Sequence, residues 1–387
     1  MNIVFFTNYV NHHQIPWADE MYKISGGNFY YVEVCDTKSL LKEMSGYPFI
    51  DRPYVLRVYE NNKNKTFAID LALNSDIMIW DTQYCLQYAI ARYKAGKQKY
   101  TFEFSERWLK RGFLNLISPR LIRNILAYHF FAPKKTTYAL CASAYLPNDE
   151  YLLKAYKDRC LKWAYFTAVP QLDIDEVWNK KRSIKPIKIL YVSRFIWWKH
   201  PERILHLASK LRELKVDFVI DMVGEGPKVD FIIREIKKYR LSDYVHLLGI
   251  IPNADLLKLM QEYHIFCFTS DRNEGWGTVL NEAMSNGCCP VACKDIGSAP
   301  YLINDGVNGF LFDDKIKDDL FEKVYWLVKH PNNLELMGKE AYKTMYEVWN
   351  PVLAAKKFWQ ICLLMLNGEY FNSPFTDGPL SHAIPYK

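Results

Sequence analysis

The sequence predicts an α/β protein with two domains, the second of which is built on a doubly wound parallel sheet. Near-continuous apolar strands alternate with amphipathic helices through the second half of the chain, which is typical of parallel sheets covered on both faces. Arg194, Gly224, Gly249 and Glu274 each follow one of these strands. Because such sheets bind ligands beyond the carboxyl ends of their strands, the same pattern predicts where a site lies.

The length and composition favour a globular protein of ordinary size. The chain has 387 residues, half of them hydrophobic, which suffices for two domains with their own cores. We place the linker within the polar, basic, proline-bearing segment VWNKKRSIKPIK. The expected divisions are 1–180 for an N-terminal domain, 181–350 for a C-terminal domain, 351–366 for a terminal helix and 367–387 for an irregular tail.

Hydrophobic periodicity predicts the individual elements. In the first half, strands are expected at 2–7, 29–34, 77–80, 97–104 and 136–143, and helices at 84–96 and 106–131. In the second half, strands are expected at 187–195, 217–226, 245–251, 264–270, 290–295 and 309–312, and helices at 200–214, 228–241, 253–263 and 278–287.

Charge and cysteine content narrow the classes of partner and compartment. The net charge of +7 favours anionic partners: nucleotide diphosphates, an anionic membrane surface or nucleic acid. The sequence shows no signature of a nucleic-acid-binding module, so nucleic acid is disfavoured. No apolar stretch approaches the ~20 residues that span a bilayer. Nine cysteines without CxxC pairs predict reduced, buried thiols of a cytoplasmic protein instead of disulfides or a zinc site.

The stretch from Thr269 to Phe312 carries the strongest functional pattern. Glu274 and Glu282 stand eight residues apart, and glycines lie between them. A strand, a glycine-bearing turn and a helix N-terminus form a geometry that grips an anion. The two carboxylates are suited to accept hydrogen bonds from hydroxyls, so the pattern predicts binding of a nucleotide sugar. Alone, each carboxylate would be an ordinary helix-start or loop acid.

This spacing resembles the E-x7-E motif of retaining GT-B glycosyltransferases, particularly glycosyltransferase family 4. The resemblance implies a GT-B fold, in which two Rossmann-like doubly wound parallel-sheet domains face a cleft. Arg194 and Lys199 resemble the family's R-x4-K pair, which contacts the diphosphate. Fixed positive charge there would stabilise the leaving group, and the alternative is a pair of solvated loop cations.

The resemblance also assigns roles in the C-terminal domain. It implies that Glu274, Arg194 and Lys199 are catalytic. It places the donor against Glu282, Gly275, Trp276, Gly277, Thr278, Val279, Gly224, Ile250 and Ile251. One departure is Tyr301, which stands where many relatives have an acidic residue. The enzyme is expected to need no cofactor and no metal, and the triplet Asp173 to Asp175 is interpreted as a surface segment.

The N-terminal domain is expected to bind the acceptor. Candidate residues are His13, which follows strand 1, together with Glu106 and His129. The two histidines have structural alternatives: His13 as a helix cap and His129 as a packed aromatic neighbour. Because the family's mechanism is front-face attack by the acceptor, no enzyme nucleophile is named.

Residues 106–135 form a basic, aromatic segment. Seven cations alternate with large apolar residues, a composition typical of amphipathic helices on anionic bilayers. The alternative is an ordinary helical pair with its cations facing water. The function that fits best is transfer of a hexose from a UDP-sugar, or from a GDP-sugar, to a saccharide or lipid-linked saccharide in bacterial surface polysaccharide synthesis. The alternatives are a GT-B sugar-nucleotide epimerase or hydrolase and a non-catalytic membrane- or glycan-binding protein.

Overall fold

A computed structural model describes residues 1–36, 50–96, 99–370 and 372–386. The chain divides into two compact units, one formed by residues 1–168 with 349–387 and the other by 169–348. We call them the N-terminal unit and the C-terminal unit. None of the helices in the described ranges is long and apolar enough to cross a membrane.

The N-terminal unit is built on a parallel sheet. Its described residues contribute seven strands in the order β3-β2-β1-β4-β5-β6-β7. The strands are β1 (Ile3–Thr7), β2 (Phe29–Glu33), β3 (Val55–Arg57), β4 (Ile77–Trp80), β5 (Tyr100–Ser105), β6 (Thr137–Cys141) and β7 (Cys160–Lys162). Strands β1, β4 and β6 are buried throughout, as their apolar runs predict. The expected strand at 97–104 is β5, and positions 97 and 98 lie outside the described residues.

Helices flank this sheet. They are α1 (Ile15–Ile24), α2 (Asn62–Asn74), α3 (Thr82–Lys94), α4 (Pro119–Phe130) and α5 (Leu146–Leu152). The prediction of one continuous helix over 106–131 is wrong. Residues Gly112–Ile117 form a 3₁₀ turn, and the α-helix begins only at Pro119. Proline has no N–H to donate and clashes with the preceding turn, so it starts a helix more readily than it continues one.

The C-terminal unit, all of whose residues are described, has a six-stranded parallel sheet in the order β10-β9-β8-β11-β12-β13. Its strands are β8 (Ile187–Val192), β9 (Phe218–Val223), β10 (Val245–Gly249), β11 (Ile265–Phe268), β12 (Cys289–Cys293) and β13 (Phe310–Phe312). Its helices are α6 (Ile174–Ser183), α7 (Glu202–Glu213), α8 (Val229–Lys238), α9 (Asn253–Met260), α10 (Val279–Ser285), α11 (Ala299–Leu302), α12 (Asp319–Lys329) and α13 (Pro331–Lys343). Strands and helices thus alternate as predicted.

The segment expected to be a linker is mostly helix α6. The Asp173 side chain caps this helix by accepting from the Glu176 N–H at 3.0 Å. Trp178 and Lys181 are buried, and the Lys181 ammonium donates to the Gly287 carbonyl at 2.7 Å. These contacts tie α6 into the C-terminal unit, so the chain divides near residue 168, earlier than the expected position near 180.

The end of the chain belongs to the N-terminal unit. Helix α14 (Pro351–Leu366) packs on α1, and the Phe358 ring lies edge-on to Trp17 with centroids 5.7 Å apart. The described part of the following segment has no helix or strand. It is nevertheless anchored, because the Lys162 N–H donates to the Ser381 carbonyl at 2.8 Å. All nine cysteines are free thiols and eight are buried, as the composition predicts.

Candidate active site

The candidate site lies at the point where strand order reverses in the C-terminal sheet. Strands β8 and β11 are parallel neighbours there, with Ile189 beside Ile265. The chain continues outward from β8 to β9 on one side and from β11 to β12 on the other. Loops leaving the carboxyl ends of two such strands diverge and leave a crevice, which is where doubly wound sheets bind ligands.

Lys199 and Glu274 meet at this crevice. Lys199 closes the short turn after β8, Glu274 lies in the loop after β11, and the ammonium donates to the Glu274 Oε2 atom. Their side chains are only 13% and 14% exposed. The Lys199 carbonyl accepts from the Tyr191 hydroxyl at 3.2 Å and from the Thr269 hydroxyl at 2.8 Å. The backbone that carries the cation is therefore fixed to both strands.

Arg194 lies on the same loop and is exposed. Its guanidinium lies 5.9 Å from the centre of the Trp198 ring. The N–H of the next residue, Phe195, donates to the Glu225 carbonyl at 2.8 Å and so joins the loop after β8 to the loop after β9. An exposed guanidinium on a fixed backbone can offer a bidentate fork to a phosphate.

Glycines let these two loops pack backbone against backbone. Gly224 has φ +130°, and a Cβ atom there would lie 1.9 Å from the Ser193 carbonyl oxygen. Gly226 has φ +150°, and its Cβ would lie 2.7 Å from the Phe195 carbonyl oxygen. Only glycine fits at either position. Gly224, predicted as a donor-binding residue, thus also supports the chain on both sides of Arg194.

The turn before α10 follows the expected path. Gly277 has φ +84°, and a Cβ atom there would lie 2.5 Å from the Phe268 ring. Trp276 is buried, and its indole N–H donates to Asn281 Oδ1 at 2.9 Å. The Ser298 hydroxyl donates to the Trp276 carbonyl at 2.5 Å. The Trp276 side chain is therefore packed within the core.

Glu282 lies in helix α10 and is 7% exposed. Burial raises the pKa of its carboxyl to about 7. Its Oε1 atom accepts from the Asn253 side-chain amide at 3.0 Å. Asn253 begins helix α9, directly after the loop of Ile250 and Ile251. Sequence reasoning missed Asn253, although its position beside the loop expected to frame a base was a usable signal.

The acceptor-side candidates lie in the N-terminal unit. His13 stands in a 3₁₀ turn after β1, and burial, followed by its neighbour His12, lowers its pKa to about 3, so its imidazole is neutral at pH 7. The Asn11 side chain, not His13, caps this turn. Glu106 follows β5, pairs with Lys110 at 2.6 Å and accepts from the Tyr165 hydroxyl at 3.2 Å.

His129 has a structural contact. It is exposed on the last turn of α4, and its Nε2 atom lies 3.2 Å from the Leu153 carbonyl, to which the imidazole can donate. This contact joins the end of α4 to the residue after α5. It corresponds to the structural alternative for His129, in which the side chain packs within the protein.

Asp81 is a further acidic group that sequence reasoning missed. It directly follows β4, which neighbours β1 at the point where strand order reverses in the N-terminal sheet. Its Oδ2 atom accepts from the Thr7 hydroxyl at 2.7 Å, and burial raises its pKa to about 7. The signal was present, since a carboxylate after a buried strand satisfies the same rule that singled out Arg194 and Glu274.

Comparisons with known proteins bear on the family and the fold of this chain. Residues 174–344 match the family described as "Glycosyl transferases group 1". N-acetyl-alpha-D-glucosaminyl L-malate synthase of Bacillus anthracis is 26% identical over 161 residues, which are 41% of this chain and 40% of that protein. The chain thus matches less than half the length of this curated relative.

Two solved structures share the fold across nearly the whole chain. HepE of Anabaena in complex with UDP is 17% identical with a TM-score of 0.69, and the match covers 95% of this chain and 100% of HepE. HepE has also been crystallised with UDP-glucose. The lipopolysaccharide outer core galactosyltransferase WaaB, in its apo form, is 15% identical with a TM-score of 0.70 at the same coverage. Residues 174–344 therefore form a domain of the glycosyl transferases group 1 family, in a chain that has the GT-B fold.

Proposed function

We propose that this protein is a retaining glycosyltransferase of family 4 that transfers a hexose from a nucleoside diphosphate sugar. The observation that carries the proposal is the Lys199–Glu274 ion pair at the strand-order reversal. Lys199 lies on the same loop as the exposed Arg194. UDP-sugars are the favoured donors because HepE, which shares the fold, binds UDP and UDP-glucose in crystals. GDP-sugars are the alternative.

The residues divide the chemistry of transfer between them. Breaking the bond between the anomeric carbon and the phosphate oxygen builds negative charge on the diphosphate, which Arg194 and Lys199 would stabilise. Glu274 would orient the sugar and Lys199. Glu282, in its ionised form, would accept hydrogen bonds from the ribose hydroxyls. Because two fixed side-chain cations supply the charge, we propose that transfer needs no metal and no cofactor.

The proposed acceptor is a saccharide or lipid-linked saccharide of a bacterial surface polysaccharide. Support comes from the N-terminal unit, where Asp81, Glu106 and the neutral His13 each follow a strand. Such groups can accept hydrogen bonds from sugar hydroxyls. The similarity to WaaB, named for a lipopolysaccharide core, is consistent with this class of acceptor.

We also propose that residues 106–135 contact the inner face of the cytoplasmic membrane, so that this cytoplasmic enzyme works at a lipid surface. Three apolar side chains in the 3₁₀ turn before α4 are strongly exposed: Phe113 (70%), Leu114 (72%) and Ile117 (77%). Exposed cations of the same segment are Arg111, Arg120, Arg123, Lys134 and Lys135, of which Lys134 also donates to the Tyr128 carbonyl.

The charge of this segment indicates which kind of membrane it would contact. The remaining two cations of the segment are held within the protein, Arg107 by Asp149 at 3.6 Å and Lys110 by Glu106 at 2.6 Å. Exposed apolar side chains interleaved with exposed cations fit a bilayer with anionic headgroups.

The direct test is an activity assay with a panel of nucleotide sugars. UDP-glucose, UDP-galactose, UDP-N-acetylglucosamine and GDP-mannose would each be incubated with short saccharides and polyprenyl-diphosphate-linked saccharides. We expect acceptor-dependent nucleotide release and a product whose anomeric configuration, measured by NMR, matches the donor. Asp81→Asn should raise the acceptor KM and leave the Kd for UDP unchanged.

The other outcomes separate the alternatives. Nucleotide release or a new sugar nucleotide without acceptor would indicate a hydrolase or an epimerase. Binding of nucleotide without turnover across the panel would contradict catalysis and favour a binding protein. An inverted product would overturn the proposed stereochemistry alone.

A further inference from the structure

Three side chains of metal-ligand type meet inside the N-terminal unit. Cys141 ends strand β6, Glu150 lies in helix α5 and Cys160 begins strand β7. All three are buried, and one ligand atom of each lies within 4.8 Å of the other two. The spacings of nine and ten residues among these three are not a metal motif, and the absence of CxxC pairs led to the expectation of no zinc site.

The distances suit a shared cation. Glu150 Oε2 lies 2.8 Å from the Cys160 sulfur and 3.7 Å from the Cys141 sulfur. In a tetrahedral zinc site with bonds of about 2.0–2.3 Å, ligand atoms lie roughly 3.5 Å apart. The observed separations fall on both sides of that value, so small movements of the side chains would complete the geometry.

Only one oxygen of the Glu150 carboxyl has hydrogen-bond partners, since Oε2 accepts from both thiols. Glu150 is 1% exposed, and its second oxygen, Oε1, is buried with no hydrogen-bond partner among the described residues. Within those residues, no Lys, Arg or His side chain forms an ion pair with it. The nearby buried acid Glu103 accepts a hydrogen bond from the Tyr156 hydroxyl, so this neighbour supplies no cation to Glu150 either. An unpaired buried polar atom costs about 1–3 kcal/mol, so its presence points to a missing partner.

We propose that Cys141, Glu150 and Cys160 bind one thiophilic divalent cation of the zinc type, with both oxygens of the single Glu150 carboxylate facing the cation so that Oε1 gains a partner. Thiolates select zinc over magnesium or calcium. Binding replaces one proton on each thiol, and both protons are released to solvent. The cation would join β6, α5 and β7, which makes it a structural site. These residues belong to the N-terminal unit, whereas the proposed donor site belongs to the C-terminal unit.

The first experiment measures metal content in the unmodified full-length protein. The chain would be expressed with added zinc sulfate, desalted under reducing conditions and analysed by inductively coupled plasma mass spectrometry. We expect about one zinc per chain. Exchange into cobalt(II) should produce the near-ultraviolet charge-transfer band of cobalt–thiolate bonds. Both measurements use wild-type protein, so neither depends on a variant that folds.

Variants then locate the site. Cys141→Ser, Cys160→Ser and Glu150→Gln should each lower zinc occupancy by about tenfold or more, since each removes a ligand. The matched control is Cys362→Ser, which changes another buried cysteine of the same unit and should retain the metal. Circular dichroism would confirm that each variant is folded.

Three results would overturn the proposal. One is zinc below about a tenth of an equivalent in wild-type protein whose thiols are all titratable, with no cobalt–thiolate band. Another is a disulfide between Cys141 and Cys160 in protein purified without reductant. The third is a band that persists in folded Cys141→Ser and Cys160→Ser, which would place the metal elsewhere.

Discussion

Lys199 and Glu274 are 75 residues apart in the chain, yet their side chains form an ion pair that is almost wholly shielded from water. The pair joins the loops after β8 and β11, the two strands between which the strand order reverses. Removal from water strengthens the attraction between these charges. A bound diphosphate would compete with Glu274 for the ammonium, so the pair can hold the cation in position before the donor arrives.

Removing the cations should slow the chemical step more than it weakens binding. Because the charge they stabilise develops in the transition state, Lys199→Ala and Arg194→Ala should each lower kcat by roughly 10²–10³-fold. The Kd for UDP, measured by calorimetry, should change less. The matched control is Lys188→Ala, which breaks the more exposed Lys188–Glu262 pair of the same unit and should leave kcat unchanged. An unchanged kcat in Arg194→Ala would refute its assigned role.

Glu282→Gln should stabilise the protein only at higher pH. Burial raises the pKa of this carboxyl from 4.5 to about 7, so the folded state favours its protonated form. The stabilisation that comes from this preference for the protonated carboxyl is fully present below pH 4.5 and is lost as the pH rises through 7. Glutamine resembles the protonated form at every pH, so the variant should gain up to about 3 kcal/mol over wild type near pH 8.5 and almost nothing near pH 4.5.

Urea unfolding of wild type and variant at the two pH values measures this difference. All other titrating groups are present in both proteins, so their effects cancel in the comparison. Glu213→Gln, on the exposed end of α7, is the control and should show no pH-dependent difference. A stability difference that is the same at both pH values would mean that burial does not control this carboxyl.

Gly224→Ala should disrupt the site through the backbone. The added methyl would lie 1.9 Å from the Ser193 carbonyl oxygen, at a φ of +130° that side chains rarely adopt. We expect a loss of about 3 kcal/mol or more in the free energy of unfolding. Gly306→Ala has a positive φ but nothing within 4 Å of the new methyl, and should lose only about 1 kcal/mol. Equal losses in the two variants, measured by urea unfolding, would show that the close approach of the loops is unimportant.

Binding to anionic vesicles should depend on the exposed cations of α4. Each basic residue near such a surface contributes about 1 kcal/mol, so Arg120→Ala with Arg123→Ala should weaken binding roughly 30-fold. Added salt should weaken wild-type binding as well. Sedimentation with phosphatidylglycerol-containing vesicles, compared with pure phosphatidylcholine, measures both effects. Lys315→Ala with Lys317→Ala removes two exposed charges from the C-terminal unit and is the control. An affinity for vesicles that changes neither with added salt nor in the α4 variant would contradict the membrane proposal.

The sequence predicted the C-terminal unit better than the N-terminal unit. Strands β8 and β11 are short apolar runs bounded by helices, so the residues that follow them could be assigned to one edge of a sheet. Arg194 and Glu274 were singled out by this rule, and Lys199 by its resemblance to the R-x4-K pair of the family. Asn253 was missed because its contact with Glu282, 29 residues away, is tertiary, and its position beside the loop of Ile250 and Ile251 was the only sequence signal.

The errors have equally specific causes. Apolar periodicity runs continuously through residues 106–131, and it concealed the break that Pro119 imposes. The segment VWNKKRSIKPIK looked like a linker because it is polar, basic and proline-bearing, yet burial of Trp178 makes most of it a helix of the C-terminal unit. The cluster of Cys141, Glu150 and Cys160 forms only when two strands and a helix come together.

The measurement that tests the central claim most directly is a calorimetric titration of UDP and GDP into wild-type protein and Glu282→Ala. The account predicts that one of the two nucleotides binds wild type and that Glu282→Ala weakens its affinity by about tenfold or more, since a ribose–carboxylate hydrogen bond is worth about 1.5–3 kcal/mol. Wild-type protein that binds neither nucleotide, or a variant that binds as tightly as wild type, would contradict the donor site proposed at β8 and β11.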